Sequence, residues 1–229
     1  MTIITRLTTD FTGGDAATLP RLSWASNLNP NRRWVPARLP AVGTEAESWP
    51  SNEGALLANA DGPIVGQEAG IKYAQFSGAS DNRLTLASLA ASTMRTVLVI
   101  ARPNTGDAFT GGSPVVNTSA IQVLHSPASD QATITSGVAA LPAVRDKWHV
   151  YAYSLPDTGD GAFVIDNAST TFAPSNRAQN QINLARSGSN FRQLRVLEVM
   201  TSPDVFSAAQ LIAAAAAAKA WYSSLAWAA

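Results

Sequence analysis

The chain has no cysteine among its 229 residues, so no disulfide, thiolate metal site or cysteine nucleophile can form, and stability has to come from packing. Charge is scarce as well. Asp, Glu, Lys and Arg make up 14% of the sequence, against about a quarter in average soluble proteins, and 16 basic residues balance 16 acidic ones. With no net charge there is no electrostatic footprint for nucleic acid or for an anionic membrane surface. Nowhere do eighteen apolar residues run together, and Gln210 and Lys219 interrupt the alanine-rich stretch near the C-terminus, so no membrane insertion is expected. The start, MTIITRLTTDFTGG, alternates apolar and polar residues and lacks the continuous apolar core of a secretory signal. Synthesis inside a cell without export is the expectation.

Catalytic signatures are missing too. Only two histidines occur, His125 and His149, with no H-E-x-x-H spacing for zinc, no G-x-S-x-G elbow for a serine nucleophile, and no Lys-Ser/Thr after Gly111-Gly112 to make a phosphate loop. A glycan hydrolase needs two carboxylates flanking the scissile bond, and no E-x-D-x-x-E run offers them on one strand face. Glu198 is the one acid inside a strongly apolar strand, on the face shared with Leu194, Val196 and Met200, and reads as a structural carboxylate held by an Arg or a neighbouring loop. The expectation is a protein that is not an enzyme.

What the chain does carry is β signal. Strand-like runs cover 95–101, 113–116, 121–125, 131–136, 147–154, 162–166, 182–185 and 193–201, separated by turns such as Pro103-Asn104-Thr105-Gly106 and Pro156-Asp157-Thr158-Gly159-Asp160-Gly161. Many short strands of this kind argue for one all-β domain over 1–229, a two-sheet antiparallel jelly-roll sandwich. The stretch IKYAQFSGASDNRLTL, 71–86, reads as a strand, a polar turn and a second strand around one buried aromatic. Alternation there puts Ile71, Tyr73 and Gln75 on one face and Lys72, Ala74 and Phe76 on the other. Trp148, Val150 and Ala152 oppose His149, Tyr151 and Tyr153 in the same way, and two partly apolar faces suit an inner strand.

The flanks differ from this body. Residues 1–60 comprise a strand at Thr2 to Phe11 and the start of a long irregular region, Gly13 to Gly70, which Trp24, Trp34 and Trp49 punctuate; tryptophans are costly to expose, so this region wraps the core or serves as an assembly arm. The sandwich core spans 61–206. A helix covers 207–225, opened by the capping box Ser207-Ala208-Ala209-Gln210 with Phe206 and Leu211 placed as a hydrophobic staple, and with Leu211, Ala215, Trp221, Tyr222 and Leu225 on one arc.

Candidate ligand or partner contacts are Trp24 and Trp34 in the irregular region, His125 near Asp130 at a strand end, Asp157 and Asp160 in the glycine-rich hairpin, and Phe191 in a loop. Trp49, Phe76, Gly78, Trp148, Glu198 and Trp221 read as structural. Calcium wants six to eight oxygens, and Asp157, Asp160 and Asp166 are the best local supply, so Ca2+ is the one metal considered and no cofactor is expected.

The segments 45–54, 62–84, 95–103, 146–154, 161–167 and 195–221, taken in order, resemble the laminin-G-like, concanavalin A-like jelly rolls of bacteriophage virion proteins and bacterial surface proteins. In that pattern a Trp and a polar turn precede a Pro-containing crossover and a Phe-x-Gly turn; a Lys-Trp-His strand follows, then a Glu-bearing strand leading into a helix that ends in Lys-x-Trp. Trp49, Pro63, Phe76 with Gly78, Trp148 with His149, Glu198, and Lys219 with Trp221 hold those places. Ser77 stands where many members have Asp, which weakens the case for calcium at that turn. The resemblance implies a virion structural protein, a tail, fibre or capsid-decorating subunit located in the virion. Its implied partners are other virion subunits, a homo-oligomer with three-fold symmetry as in virion fibres, and a host surface glycan. A lectin-like carbohydrate-binding module of a bacterial protein is the alternative, and a glycan hydrolase ranks last.

Overall fold

The structure, a computed structural model, describes residues 25–51, 53–58, 61–78, 82–86, 94–104, 113–118, 120–126, 129–134, 139–187, 190–191 and 193–228. The strand expected at Thr2 to Phe11, and Trp24, lie outside the described residues. Among the described residues four short strands come first: β1 (Arg32–Trp34), β2 (Ser48–Pro50), β3 (Ala55–Ala58) and β4 (Ile64–Glu68). The body follows with β5 (Ile71–Ser77), β6 (Leu84–Leu86), β7 (Thr96–Pro103), β8 (Ser113–Thr118), β9 (Gln122–Ser126), β10 (Gln131–Ile134), β11 (Ala139–Pro142), β12 (His149–Ser154), β13 (Gly161–Ile165) and β14 (Ala168–Phe172). β15 (Ile182–Leu184), the small pair β16 (Arg186–Ser187) and β17 (Asn190–Phe191), β18 (Gln193–Ser202) and an α-helix, α1 (Ala208–Trp221), follow among the described residues. The irregular region expected over 13–70 thus contains real strands, too short to show a period.

Two antiparallel sheets of eight strands form the sandwich. Sheet A runs β14-β13-β12-β7-β18-β5-β4, with β1 pairing the far half of β18, and sheet B runs β11-β10-β9-β8-β15-β6-β3-β2. β7, with Val97, Leu98, Val99, Ile100 and Ala101 all buried, sits at the middle of sheet A because a continuous apolar run needs cover on both faces. Val97, Val99, Tyr151 and Tyr153 face inward to the core between the sheets, and Leu98, Ile100, Trp148, Val150 and Ala152 face outward to a second cluster beneath α1. The two faces assigned to 148–153 from alternation are those observed.

The helix begins as expected: Ser207 Oγ accepts from the Gln210 backbone at 3.3 Å, and Gln210 Oε1 accepts from the Ser207 backbone at 2.9 Å. Leu211, Ala214, Ala215 and Ala218 are its buried face, so the alanines bring the helix close to sheet A. Trp221 is not on that face; it is 47% exposed, whereas Tyr222 and Leu225 pack beneath. Among the described residues no helix is long and apolar enough to cross a membrane.

The two strands of the stretch 71–86 form as expected but join different sheets: β5 lies in sheet A and β6 in sheet B. Gly78, at φ +80°, lets the chain leave β5, and Asn82 fastens the crossover by accepting from the Ser77 backbone at 2.8 Å and donating to the Gly62 carbonyl at 2.7 Å. Phe76 is buried between the sheets, as expected.

Candidate functional site

The outer face of sheet A is closed over β12, β13 and β14 by α1, whereas sheet B has no helix over it among the described residues. Alternation fixes which side chains point out of sheet B. Trp49, Leu56, Leu84, Ile182, Leu184, Val116 and Val123 go into the core, so Ser48, Leu57, Thr85, Asn183, Asn117 and Gln122 go out. The strand registers set these six side by side: Ser48 pairs with Leu57, Leu57 with Thr85, Thr85 with Asn183, Asn183 with Asn117, and Asn117 with Gln122. One row of hydroxyls and amides with a single leucine, 55% exposed, therefore crosses six strands at steps of about 4.8 Å. Thr85 Oγ1 donates to Asn183 Oδ1 at 2.9 Å; Asn183 is itself buried and braces the row, while Thr85, Asn117 and Gln122 are half-buried. The outward positions Leu124, Ser126, Gln131, Thr133 and Ala140 of β9, β10 and β11 carry no charge either. Such a face offers donors and acceptors without the desolvation cost of an ion.

The residues singled out from the sequence do not converge. Trp34 is fully buried in β1, and Trp49 is buried beside it with Nε1 donating to the Val35 carbonyl at 2.9 Å, so Trp34 is a core residue and not an exposed contact. Phe191 lies in β17. His125 is buried with Nε2 facing the Ala143 carbonyl at 2.8 Å, while Asp130 is bound by Arg145 Nε at 2.7 Å, so the two line no common site. Asp157 pairs with Arg95, and Arg177 bonds the carbonyls of Pro156 and Gly159, which braces the hairpin that also holds Asp160. Among the described residues no three His, Cys, Asp or Glu side chains come together as metal ligands would. His149 takes part in a separate lock, Nδ1 on Asp166 at 2.7 Å and Nε2 on the Val144 carbonyl at 2.8 Å.

His125 makes stability depend on pH. Burial holds its pKa below the ordinary 6.5, because desolvation disfavours the charged ring. The unfolded chain then binds a proton there more readily than the folded one, so the stability this residue contributes is complete above pH 6.5 and is lost as the pH falls below it. Urea melts from about pH 7.5 to about pH 5 are expected to show a falling midpoint that is shallower in His125→Gln; equal slopes would remove His125 as the cause.

Glu198 faces where alternation does not put it. A β-bulge between Val196 and Glu198 inserts one residue against β7, so Leu194 and Val196 face the inner core but Glu198 turns outward with Met200, under α1. There, fully buried, it accepts from Arg33 Nε on β1 and from the Tyr222 hydroxyl at the helix end.

No protein-family model and no curated protein matches the chain. Among solved structures, a Trypanosoma rangeli sialidase with 2,3-difluorosialic acid is similar at TM-score 0.58 and 8% identity, covering 82% of this chain and 33% of that one. The same organism's sialidase in complex with sialic acid has TM-score 0.54 and 9% identity, covering 79% of this chain and 31% of that one. The receptor binding domain of botulinum neurotoxin D has TM-score 0.54 and 7% identity, covering 83% of this chain and 53% of that one. The chain spans about a third of the length of the sialidases it matches, and at these identities the likeness is one of fold. It still corrects one expectation. The exclusion of enzymes rested on missing local motifs, the carboxylate run among them, but this sandwich occurs within sialidase chains, and a carboxylate pair can be assembled from residues far apart in sequence, so that exclusion falls.

Proposed function

We propose that this chain is a glycan-binding β-sandwich module of a bacteriophage virion, a tail, fibre or capsid-decorating subunit that assembles with copies of itself and meets the host surface. The observation that carries the glycan reading is the in-register row Thr85, Asn117 and Gln122 on the outer face of sheet B, braced from within by the buried Asn183. Amides and hydroxyls are the groups that bond sugar hydroxyls, and a rigid sheet presents them at fixed spacing with little left to order on binding. A likeness in fold to a receptor binding domain and to sialidases is in keeping with this. The virion setting is supported by the sequence resemblance to laminin-G-like virion proteins and by the low charge.

A glycan array probed with the purified chain is expected to give binding that Asn117→Ala and Gln122→Ala each weaken about tenfold, the loss of one or two net hydrogen bonds. Binding that both variants leave unchanged would move the site off this face. Mass spectrometry of purified phage particles is expected to find the chain; glycan binding without particle association would leave the lectin-like module of a bacterial protein.

A further inference from the structure

We infer that a second subsite, on the outer face of sheet A beyond the reach of α1, takes the carboxylate of an acidic sugar through Arg195; this deepens the glycan-binding reading and rests on it. The strand registers place Ile64, Gln75, Arg195 and Arg102 in one row across β4, β5, β18 and β7. Their neighbours Val65, Ala74, Phe76, Leu194, Val196 and Ala101 belong to the inner core, so all four of the row point outward.

Two guanidinium groups are thus direct cross-strand neighbours, an arrangement that is unfavourable unless anions balance it. One carboxylate is at hand. Glu68 spends Oε2 on Arg102 Nη1 at 2.8 Å and Oε1 on Trp148 Nε1 at 3.2 Å and the Ala226 backbone at 3.3 Å, and it makes no bond to Arg195. Arg195 has no hydrogen bond or ion pair among the described residues, and its Nε is shut off from water without an acceptor. Its guanidinium lies over the Tyr73 ring, 5.3 Å from the centroid, and Tyr73 packs edge-on against Trp148 at 5.8 Å. The ring therefore holds the fork in place before any ligand arrives. Such a fork matches a planar carboxylate with two parallel hydrogen bonds. Beside it the half-buried Gln75 amide makes no hydrogen bond among the described residues and is set to take a sugar hydroxyl, and Ile64, 48% exposed, closes the row toward solvent. The pairing differs in kind from the sheet B row, which carries no charge.

The test uses the full chain on an array of uronate- and sialate-containing oligosaccharides and the same oligosaccharides after carboxyl reduction. Carboxylated glycans are expected to bind at least tenfold more tightly than their reduced forms, with the difference shrinking as salt is raised. Arg195→Gln is expected to abolish that difference and to leave neutral glycans bound as before, Arg195→Lys to keep part of it, and Asn117→Ala to weaken the neutral glycans instead. Melting curves of each variant check that it is folded. Equal binding of carboxylated and reduced glycans, or an Arg195→Gln chain that discriminates like the original, overturns the Arg195 subsite while the sheet B reading stands; no binding to any glycan overturns both.

Discussion

Replacing Glu198 with alanine is expected to remove about 3–5 kcal/mol of stability, because it breaks a buried ion pair by removing one partner. The carboxylate is fully buried, with Arg33 on one side and the Tyr222 hydroxyl on the other. These three residues belong to β1, β18 and the end of α1, so they tie the N-terminal strand, the centre of sheet A and the helix into one knot. In urea the midpoint should fall by about 1–2 M at the slopes typical of domains. The combined change of Glu198→Leu, Arg33→Leu and Tyr222→Phe should recover most of the loss, since an apolar trio needs no partners. A single-variant midpoint within about 0.3 M of the original would mean that the pair is solvated and contributes little.

That knot also marks where reading a sequence by periodicity stops working. The body of the sandwich is legible because its signals are local: the Val-Leu-Val-Ile run of β7, the two faces of 148–153, and the capping box at Ser207 each show within a few residues. β1 through β4 are three to five residues long and cannot display a period of two with any certainty, so Trp34 looks like a residue in a loop when it is core. The bulge at 196–198 turns Glu198 to the other face, and nothing in Arg195-Val196-Leu197-Glu198 shows on which side of it the count slips. Nor does the turn after Phe76 show that the next strand joins the opposite sheet; that choice depends on where Leu84 and Leu86 find partners, which are β3 and β15. The sheet B row is less legible still. Three of the members are only the polar residue between two apolar ones, as in Ile182-Asn183-Leu184, and Asn117 lies between Val116 and Thr118; long-range register alone puts Thr85, Asn183, Asn117 and Gln122 in line.

Trp148→Ala is expected to cost a similar amount, about 3–5 kcal/mol for a fully buried aromatic, with a signature that separates it from other core deletions. Trp148 fills the outer cluster of sheet A against Tyr73, and its indole N–H holds Glu68 Oε1 at 3.2 Å. Its backbone binds the chain end directly, receiving a hydrogen bond from Ala228 at 3.2 Å and donating one to Ala226 at 3.1 Å, in a bridge that sets Trp148 beside Trp227. Losing the ring should therefore loosen residues 222–228 first, ahead of global unfolding. Phe76→Ala removes a comparable buried ring from the inner core and provides the contrast. Hydrogen exchange should show the Ala226 and Ala228 amides deprotected in Trp148→Ala at urea concentrations where Phe76→Ala leaves them protected. Trp148→Phe, which keeps most of the volume but not the N–H to Glu68, should lie between, at about 1–2 kcal/mol. Because Glu68 also balances Arg102, the same variant should disturb the charge row that Arg195 completes, so acidic-glycan binding is expected to change in Trp148→Phe and not in Phe76→Ala. Identical exchange patterns in the two alanine variants would mean that the C-terminal tail is held by something other than Trp148.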